Sequence, residues 1–206
     1  MRKYLIFAVL FALMGVSAPA ASAQPQAAKA VIEQFHDQLL GVMREAKTLG
    51  FEGRRNKLGP TVDRTFDLPF MAQFATAGGW DAMQPREREA IVQLFRRMTI
   101  STYASRFTGY SGQEFRTVEA TETPNKDVLV RTVLKNTGKD GDVAIDYLMR
   151  ANDGAWRIVD VYFKRISELA TRRSEYGSVI RREGVPALIA SLEQRVREIE
   201  AAKTTN

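Results

Sequence analysis

The chain offers few of the side chains that enzymes use for nucleophilic or metal-dependent chemistry. Its 206 residues include one histidine, His36, and no cysteine. A thiol nucleophile, a disulfide scaffold, a cysteine-ligated zinc site and an iron–sulfur cluster are therefore excluded. A Ser-His-Asp triad would need His36 as its base. The acid–base pair that we keep as an alternative is His36 with Asp160, whose side chains would have to reach one common point.

Two short segments resemble functional motifs only loosely. Residues 109–112, Gly-Tyr-Ser-Gly, lack the spacing of a nucleophile elbow and follow a predicted helix rather than a strand. Residues 139–142, Lys-Asp-Gly-Asp, lack the alternating ligands and the distant glutamate of an EF-hand loop. The sequence also contains no P-loop, dinucleotide-binding glycine pattern or zincin motif. We therefore expect no catalytic residue, no metal site and no cofactor.

The first residues have the features of a secretory signal. Arg2 and Lys3 precede an apolar run over residues 4–16, and residues 21–23 are Ala-Ser-Ala, a small-x-small cleavage site. We expect cleavage after Ala23, so that residues 1–23 are a signal peptide and the protein is periplasmic. A retained N-terminal anchor is the alternative. The remaining net positive charge of an exported protein suits an anionic membrane surface or an acidic partner better than nucleic acid.

The composition is that of one globular domain with a sizeable core. Hydrophobic residues make up 45% of the chain and charged residues 26%, which excludes disordered, collagen-like and coiled-coil classes. Apolar residues at helical spacing begin near Ala27 and predict a helix that ends before Gly50. Gly53 and Gly59-Pro60 predict breaks in the stretch that follows.

Three further helical segments are predicted on either side of a block of strands. Asp67 caps a short helix that reaches Phe74, and Pro85 opens a long helix that ends near Phe107. Residues 166–199 are helical again, with an interruption at Gly184.

Alternating apolar residues predict four strands between these helices. They begin near residues 113, 128, 143 and 156, and the segments between them contain Pro-Asn, Gly and Asn-Asp-Gly turn residues. The alternation places Ile158 and Asp160 on one face of the fourth strand and Val161 on the other. We predict an α+β fold, in which a curved antiparallel sheet of about four strands carries the N- and C-terminal helices on one face around an apolar cavity.

Ten residues are predicted to line that cavity. They lie on the inner face of the sheet, on the long helix and on the short helix that would close one end. The ten residues are Phe70, Phe74, Phe95, Met98, Thr102, Phe107, Val130, Ile145, Tyr147 and Ile158. The alternative for each of these residues is ordinary core packing.

A basic stretch lies in the C-terminal helical block. It contains Arg172-Arg173 and Arg181-Arg182. A solvated helix face explains such a stretch, and contact with lipid phosphates or a membrane transport complex is the functional alternative.

The order of several segments resembles the MlaC/toluene-tolerance family of periplasmic lipid-binding proteins. The segments are Gly79-Trp80-Asp81 through Phe95, Thr102-Tyr103-Ala104-Ser105, Tyr110-Ser111-Gly112-Gln113, the Val143-x-Ile145-x-Tyr147 strand, residues 156–161, and residues 173–189. Residues 166–174 more closely resemble the hopanoid-associated, HpnM-like branch of that family. Lys164-Arg165-Ile166-Ser167 replaces the Gly-Val-Ser that usually follows the fourth strand.

The resemblance implies a carrier without catalytic activity. Residues 24–206 would form a single lipid-binding domain that shuttles a hydrophobic lipid, either hopanoid- or sterol-like or a glycerophospholipid, between inner- and outer-membrane assemblies. The implied partners are that lipid and a membrane-embedded transport complex of the ABC or RND type, with no nucleic acid, and the carrier would be a monomer. A non-catalytic structural adaptor of an envelope complex and a cone-fold enzyme that uses His36 and Asp160 are the alternatives.

Overall fold

A computed structural model describes residues 23–137 and 141–204 of the chain. The predicted signal peptide lies outside the described residues, except for Ala23, which begins the first helix. Within the described part of the chain, no helix is both long and apolar enough to cross a membrane.

Six α-helices and one short 3-10 helix form the helical part of the described residues. They are α1 (Ala23–Arg44), α2 (Ala46–Thr65), α3 (Leu68–Ala75), the 3-10 helix (Ala77–Ala82), α4 (Pro85–Arg106), α5 (Glu168–Glu183) and α6 (Val185–Thr204). The predicted short and long helices correspond to α3 and α4. Asp67 caps α3 by accepting a hydrogen bond from the Phe70 amide at 3.2 Å, as expected for an N-cap carboxylate.

The strands form one antiparallel sheet between α4 and α5, in sequence order. The strands are β1 (Glu114–Glu122), β2 (Val128–Lys135), β3 (Val143–Asn152), β4 (Ala155–Phe163) and β5 (Ile166–Ser167). The predicted α+β class and antiparallel sheet are confirmed. The sheet has one strand more than predicted, because the chain turns back after Phe163 for two residues.

The second helix corrects the prediction that Gly53 and Gly59-Pro60 break the chain into loops. Gly50 adopts a positive φ of 58° and produces a kink, and the helix continues beyond it through Pro60. The buried side chains of Phe51 and Leu58 hold this segment in the core. Tertiary packing therefore outweighs the low helix propensity of its glycines.

A bulge in β4 changes which of its side chains face the helices. Leu148 pairs with Asp160, whereas Met149 pairs with Ile158, so Val159 has no partner in the ladder. A bulge of this kind shifts the alternation of side chains by one residue. Val161 therefore lies on the inner face together with Ile158, and the predicted opposite orientation of Val161 is wrong.

The first helix covers one half of the inner face of the sheet. Its buried stripe runs from Ala28 and Ile32 through Phe35 to Leu39, at the spacing of a helix face. The ring of Phe35 meets the ring of Tyr147 edge-on, with centroids 6.2 Å apart. This half of the sheet is consequently filled by packed side chains.

A buried arginine ties the kinked second helix to its neighbours. Arg54 donates from Nε to the carbonyl of Ala104 at 2.9 Å and from Nη1 to the carbonyl of Ala46 at 3.0 Å. The Ala104 carbonyl lies in the last turn of α4, where backbone acceptors lack partners within the helix. Arg54 therefore fixes the end of α4 that leads into the sheet.

Replacement of Arg54 by leucine should lower the free energy of unfolding by about 3 kcal/mol, since two buried carbonyls lose a charged donor. Urea unfolding measures this effect. Arg64→Gln, at an exposed arginine of the same helix, is the control and should change stability by less than about 0.5 kcal/mol. Equal stability of the two variants would contradict the role given to Arg54.

Candidate functional site

An apolar cavity of about 270 Å³ lies between the sheet and the helices. It occupies the end of the sheet where β2 finishes and β3 begins, which α1 does not fill. Its wall consists of residues from α3, α4, β2, β3, β4 and α5 and from the segments next to them. The lining residues are Phe66, Met71, Phe95, Thr99, Thr102, Tyr103, Arg106, Phe107, Leu134, Val143, Ile145, Val161, Phe163, Glu168, Leu169 and Arg172.

One face of α4 forms the helical side of the wall. Phe95, Thr99, Thr102 and Arg106 follow one another at intervals of three or four residues, which places them on one side of the helix. The Thr99 hydroxyl donates to the Phe95 carbonyl at 2.8 Å. That hydroxyl is satisfied within the helix, so it adds little polarity to the wall.

The first turn of α5 forms the opposite side of the wall, and Asp160 holds it against the sheet. The Asp160 carboxylate accepts from the Ser167 hydroxyl at 2.6 Å and from the Leu169 amide at 3.1 Å. Ser167 in turn caps α5 by accepting from the Ala170 amide at 2.8 Å. Burial of this carboxylate raises its pKa above the usual value, and its hydrogen bonds oppose that shift.

A hydrogen-bonded pair and a neighbouring tyrosine lead from the core to the cavity wall. The Tyr147 hydroxyl lies 3.1 Å from Nε2 of His36, and Phe35 meets the rings of both Tyr103 and Tyr147 edge-on. The ring of His36 also stacks on Phe115, with centroids 3.9 Å apart. Burial lowers the pKa of His36 to about 3, so the imidazole is neutral and serves as a structural hydrogen-bonding group.

Charged side chains occur at the rim of the cavity. Arg172 forms an ion pair with Glu168 at 3.7 Å and a hydrogen bond from Nη1 to the Tyr176 hydroxyl at 3.1 Å. Arg106 lies over the ring of Phe163, with its guanidinium carbon 5.2 Å from the centroid. Within residues 23–137 and 141–204, no carboxylate forms an ion pair with Arg106, which leaves this guanidinium able to bind an anion at the rim.

The structure does not bring His36 and Asp160 together as an acid–base pair. Tyr147, the partner of His36, is opposite Val161 on the inner face, while Asp160 is opposite Leu148 on the outer face. The hydrogen bonds of Asp160 go to Ser167, the Leu169 amide and its own neighbouring amide. The geometry therefore gives no support to the enzyme alternative.

Four of the ten predicted lining residues lie on the cavity wall: Phe95, Thr102, Phe107 and Ile145. The other six lie elsewhere. Val130, Tyr147 and Ile158 are packed in the core, Met98 lies beneath Arg172 and Tyr176, and Phe70 and Phe74 lie beneath Arg150 and Arg173. The expectation that all ten form one wall is therefore corrected, and any contact of the ten with a lipid stays a prediction.

The correction has a physical cause in the position of α1. Strand alternation identifies which side chains point inward, and Val130 and Tyr147 do so as predicted. Alternation carries no information on how far along each strand a helix lies over that face. Because α1 covers the half with Val130 and Tyr147, the cavity forms at the other half, near Leu134 and Val143.

The sequence contained a signal for several lining residues that were missed. Leu134 and Val143 continue the alternation that identified Val130 and Ile145, and Tyr103 and Arg106 continue the helix face that contains Phe95 and Thr102. Val161 was missed because the bulge in β4 reverses the face on which its side chain lies. The sequence contained no such signal for Glu168 and Arg172, since their position at the cavity depends on the hydrogen bonds by which Asp160 holds the start of α5.

The basic stretch divides into two parts with different surroundings. Arg172 belongs to the cavity rim, and Arg173 packs over the ring of Phe74 at 4.5 Å. Arg181 and Arg182 are exposed on the last turn of α5. A docking role for this stretch stays a prediction.

Comparison with known families gives a match over most of the chain. The family model described as MlaC protein covers residues 33–194. This chain belongs to the MlaC family. The matched range includes every lining residue of the cavity, so the cavity lies within the part that the MlaC family shares.

A solved structure supports the same fold. The chain is similar to a protein from Ralstonia solanacearum that is described as a phospholipid-binding protein in complex with a phospholipid. The two sequences are 21% identical, and the superposition has a TM-score of 0.75 and covers 84% of this chain and 98% of the other. At this level of identity the likeness establishes that the two chains share the MlaC fold.

The buried histidine predicts a pH dependence of stability that is traceable to one residue. The pKa of His36 is about 3 in the folded state and about 6.5 when unfolded. The unfolded state therefore binds a proton that the folded state does not, so this contribution is complete above pH 6.5 and falls as the pH decreases. The expected loss is about 2 kcal/mol at pH 5.

Urea unfolding at pH 7.5 and pH 5 measures this loss. His36→Gln retains a hydrogen-bonding group toward Tyr147 but does not titrate, so its stability should change by about 2 kcal/mol less over the same interval. Subtracting the pH-dependent change in unfolding free energy of the variant from that of the wild type removes the contribution of carboxylates, which both proteins share. An identical pH profile in both proteins would show that His36 is accessible to protons in the folded state.

Proposed function

We propose that this protein is a periplasmic carrier that binds a hydrophobic lipid and transfers it between membrane assemblies. The apolar cavity between α4, α5 and the sheet is the observation that carries the proposal. Membership of the MlaC family supports it, and so does the phospholipid complex described for the Ralstonia solanacearum protein. The adaptor alternative expects a filled core, which does not agree with this cavity.

The energetics of the cavity suit a lipid. A methylene group that leaves water for an apolar site gains about 0.8 kcal/mol, and most of the wall residues offer only carbon atoms. A volume of about 270 Å³ is near the lower end for ligand pockets, which begin at about 300 Å³. The hydrocarbon part of one ligand therefore enters the cavity, while its polar part stays at the rim.

The rim suits a polar group that carries a negative charge or an oxygen acceptor. Arg106 presents a guanidinium without a carboxylate partner among the described residues, and a guanidinium is well suited to bind phosphate oxygens. Arg172, in contrast, is already engaged by Glu168 and Tyr176. We therefore assign the headgroup to the side of the rim that is formed by Arg106 and Phe163.

The ligand class is proposed as either a hopanoid- or sterol-like lipid or a glycerophospholipid. The resemblance of residues 166–174 to the hopanoid-associated branch supports the first, and the Ralstonia solanacearum protein supports the second. Delivery would require a membrane-embedded transport complex as the partner. The signal-like residues at the N-terminus support a periplasmic location.

The proposal predicts that a large side chain at Ile145 excludes the ligand without unfolding the protein. Ile145 lies on the cavity wall, so the indole of Ile145→Trp can occupy the cavity. Lipid recovered by solvent extraction and quantified by mass spectrometry should fall at least tenfold per mole of protein. The unfolding free energy should change by less than about 1 kcal/mol, compared with about 1–3 kcal/mol for overpacking of a filled core.

Two controls make this result interpretable. Val118→Trp places the same indole on an exposed bulge of β1, where the native side chain is 67% exposed, and should leave both lipid content and stability unchanged. Ile145→Val keeps the cavity open and should retain the lipid. Wild-type protein that carries no lipid after gentle purification, or Ile145→Trp protein that keeps a normal amount, would contradict the proposed function.

A further inference from the structure

The turn that joins β4 to β5 has an unusual composition for its geometry. Phe163 pairs with Ile166, which leaves Lys164 and Arg165 as a two-residue turn. Both residues have positive φ values, 50° and 67°. Turns of this type strongly favour Asn-Gly or Asp-Gly, because a Cβ atom is strained at positive φ. Glycine has no Cβ, and the short polar side chain of Asn or Asp can offset the strain by hydrogen-bonding the local backbone. Local backbone preference therefore does not explain the lysine and arginine.

The side chains of this turn and the residue after it are directed to solvent. Arg165 is 71% exposed in its side chain and forms one long ion pair, with Asp146 at 4.0 Å. Lys164 is exposed and lies 5.7 Å from the Phe163 ring centroid, without an ion pair in the part of the chain that the structure describes. Ile166 is 66% exposed. The tip of the hairpin thus combines two cations with one large apolar side chain.

This tip lies at the mouth of the cavity. Phe163 immediately before it and Glu168 shortly after it both line the cavity. Because Ile166 is opposite Phe163 in the ladder, its side chain projects from the same face of the sheet as the cavity wall. Arg106, which lies over Phe163, adds a third cation to the same end of the molecule.

We propose that Lys164, Arg165 and Ile166 form a docking tip for an anionic lipid bilayer. Cations adjacent to an exposed aliphatic side chain are the combination that binds the interface of anionic membranes. The tip would hold the cavity mouth against the headgroups, so that a lipid chain passes from the bilayer into the cavity without crossing water. This inference rests on the proposed lipid-carrier function, and it assigns the surface through which that carrier meets its lipid source.

Flotation with vesicles tests the charge of the tip. The purified protein is mixed with vesicles of equal parts phosphatidylglycerol and phosphatidylcholine, or of phosphatidylcholine alone, and should bind only the anionic ones. Lys164→Asn/Arg165→Gly should lower the partition coefficient about 30-fold, since each cation near an anionic bilayer contributes a factor of about five. Binding of the wild type should also decrease steeply as salt rises from 0.05 to 0.5 M.

The same double variant contains its own control for folding. Asparagine and glycine fit a turn with two positive φ values better than lysine and arginine do. The midpoint of thermal unfolding should therefore rise by about 2–4 °C while vesicle binding falls. A loss of binding that accompanies a gain in stability cannot be attributed to unfolding.

Two further variants test whether vesicle binding depends on the docking tip or on the overall positive charge of the protein. Ile166→Thr keeps a β-branched residue in β5 and should lower vesicle binding several-fold at every salt concentration, because it removes an apolar contact. Arg64→Gln/Lys126→Asn removes two exposed cations from the opposite end of the sheet, where Lys126 also has a positive φ of 65°. This control should bind vesicles within twofold of the wild type.

Several results would overturn the docking tip. The first is wild-type protein that does not bind anionic vesicles. The second is normal binding by the Lys164→Asn/Arg165→Gly and Ile166→Thr variants. The third is a loss of vesicle binding in the Arg64→Gln/Lys126→Asn control that equals the loss in the tip variants. Tip-dependent binding to an acidic protein in place of vesicles would likewise reject the bilayer as the partner. Lipid content is measured by extraction on the same samples. Wild-type protein that contains lipid but does not bind vesicles would contradict the docking tip and leave the proposed carrier function intact.

Discussion

Coverage of the apolar inner face of the sheet is the constraint on which the rest of the structure depends. Strands β2, β3 and β4 together present an apolar face that must be removed from water, and no single helix covers it from end to end. The α1 helix packs directly on one half with Phe35 and Leu39. The other half is closed at a distance by α4 and α5, and the space that remains is the cavity.

Buried polar contacts maintain this division of the sheet. Asp160 draws the start of α5 to the edge of β4 through Ser167 and the Leu169 amide, which sets how far α5 can approach the inner face. The hydrogen-bonded pair of Tyr147 and His36, together with the neighbouring ring of Tyr103, forms a boundary between the packed half and the open half. Because unsatisfied polar groups are costly in the interior, each of these contacts restricts the protein to this arrangement and keeps the cavity from being filled by a shift of the helices.

Much of the fold followed from local patterns. The alternation in β3, the proline that opens α4 and the Asp67 cap each reflect interactions within a few residues, so the sequence predicted them correctly. The helix through Gly53 and Pro60 was missed because burial of Phe51 and Leu58 outweighs local propensity. The bulge at Val159 was missed because it depends on pairing with β3, which alternation in one strand does not contain.

The cavity was predictable as a feature but not in its position. Phe95, Thr102, Phe107 and Ile145 were identified because the same faces that build a core also build a cavity wall. Glu168 and Arg172 were missed because the rim is defined by where α5 meets the sheet, and this depends on contacts between distant parts of the chain. The turn at Lys164 and Arg165 was a departure from the family pattern in the sequence, and its positive φ values became visible only in three dimensions.

A crystal structure of the protein as purified, with its native lipid, tests the central claim most directly. The account predicts electron density for a hydrocarbon chain or ring system between Phe95, Tyr103 and Val161, with the polar end of the ligand next to Arg106. A lipid bound at another surface, or a closed cavity in protein shown by mass spectrometry to carry lipid, would contradict the assignment of this cavity as the binding site.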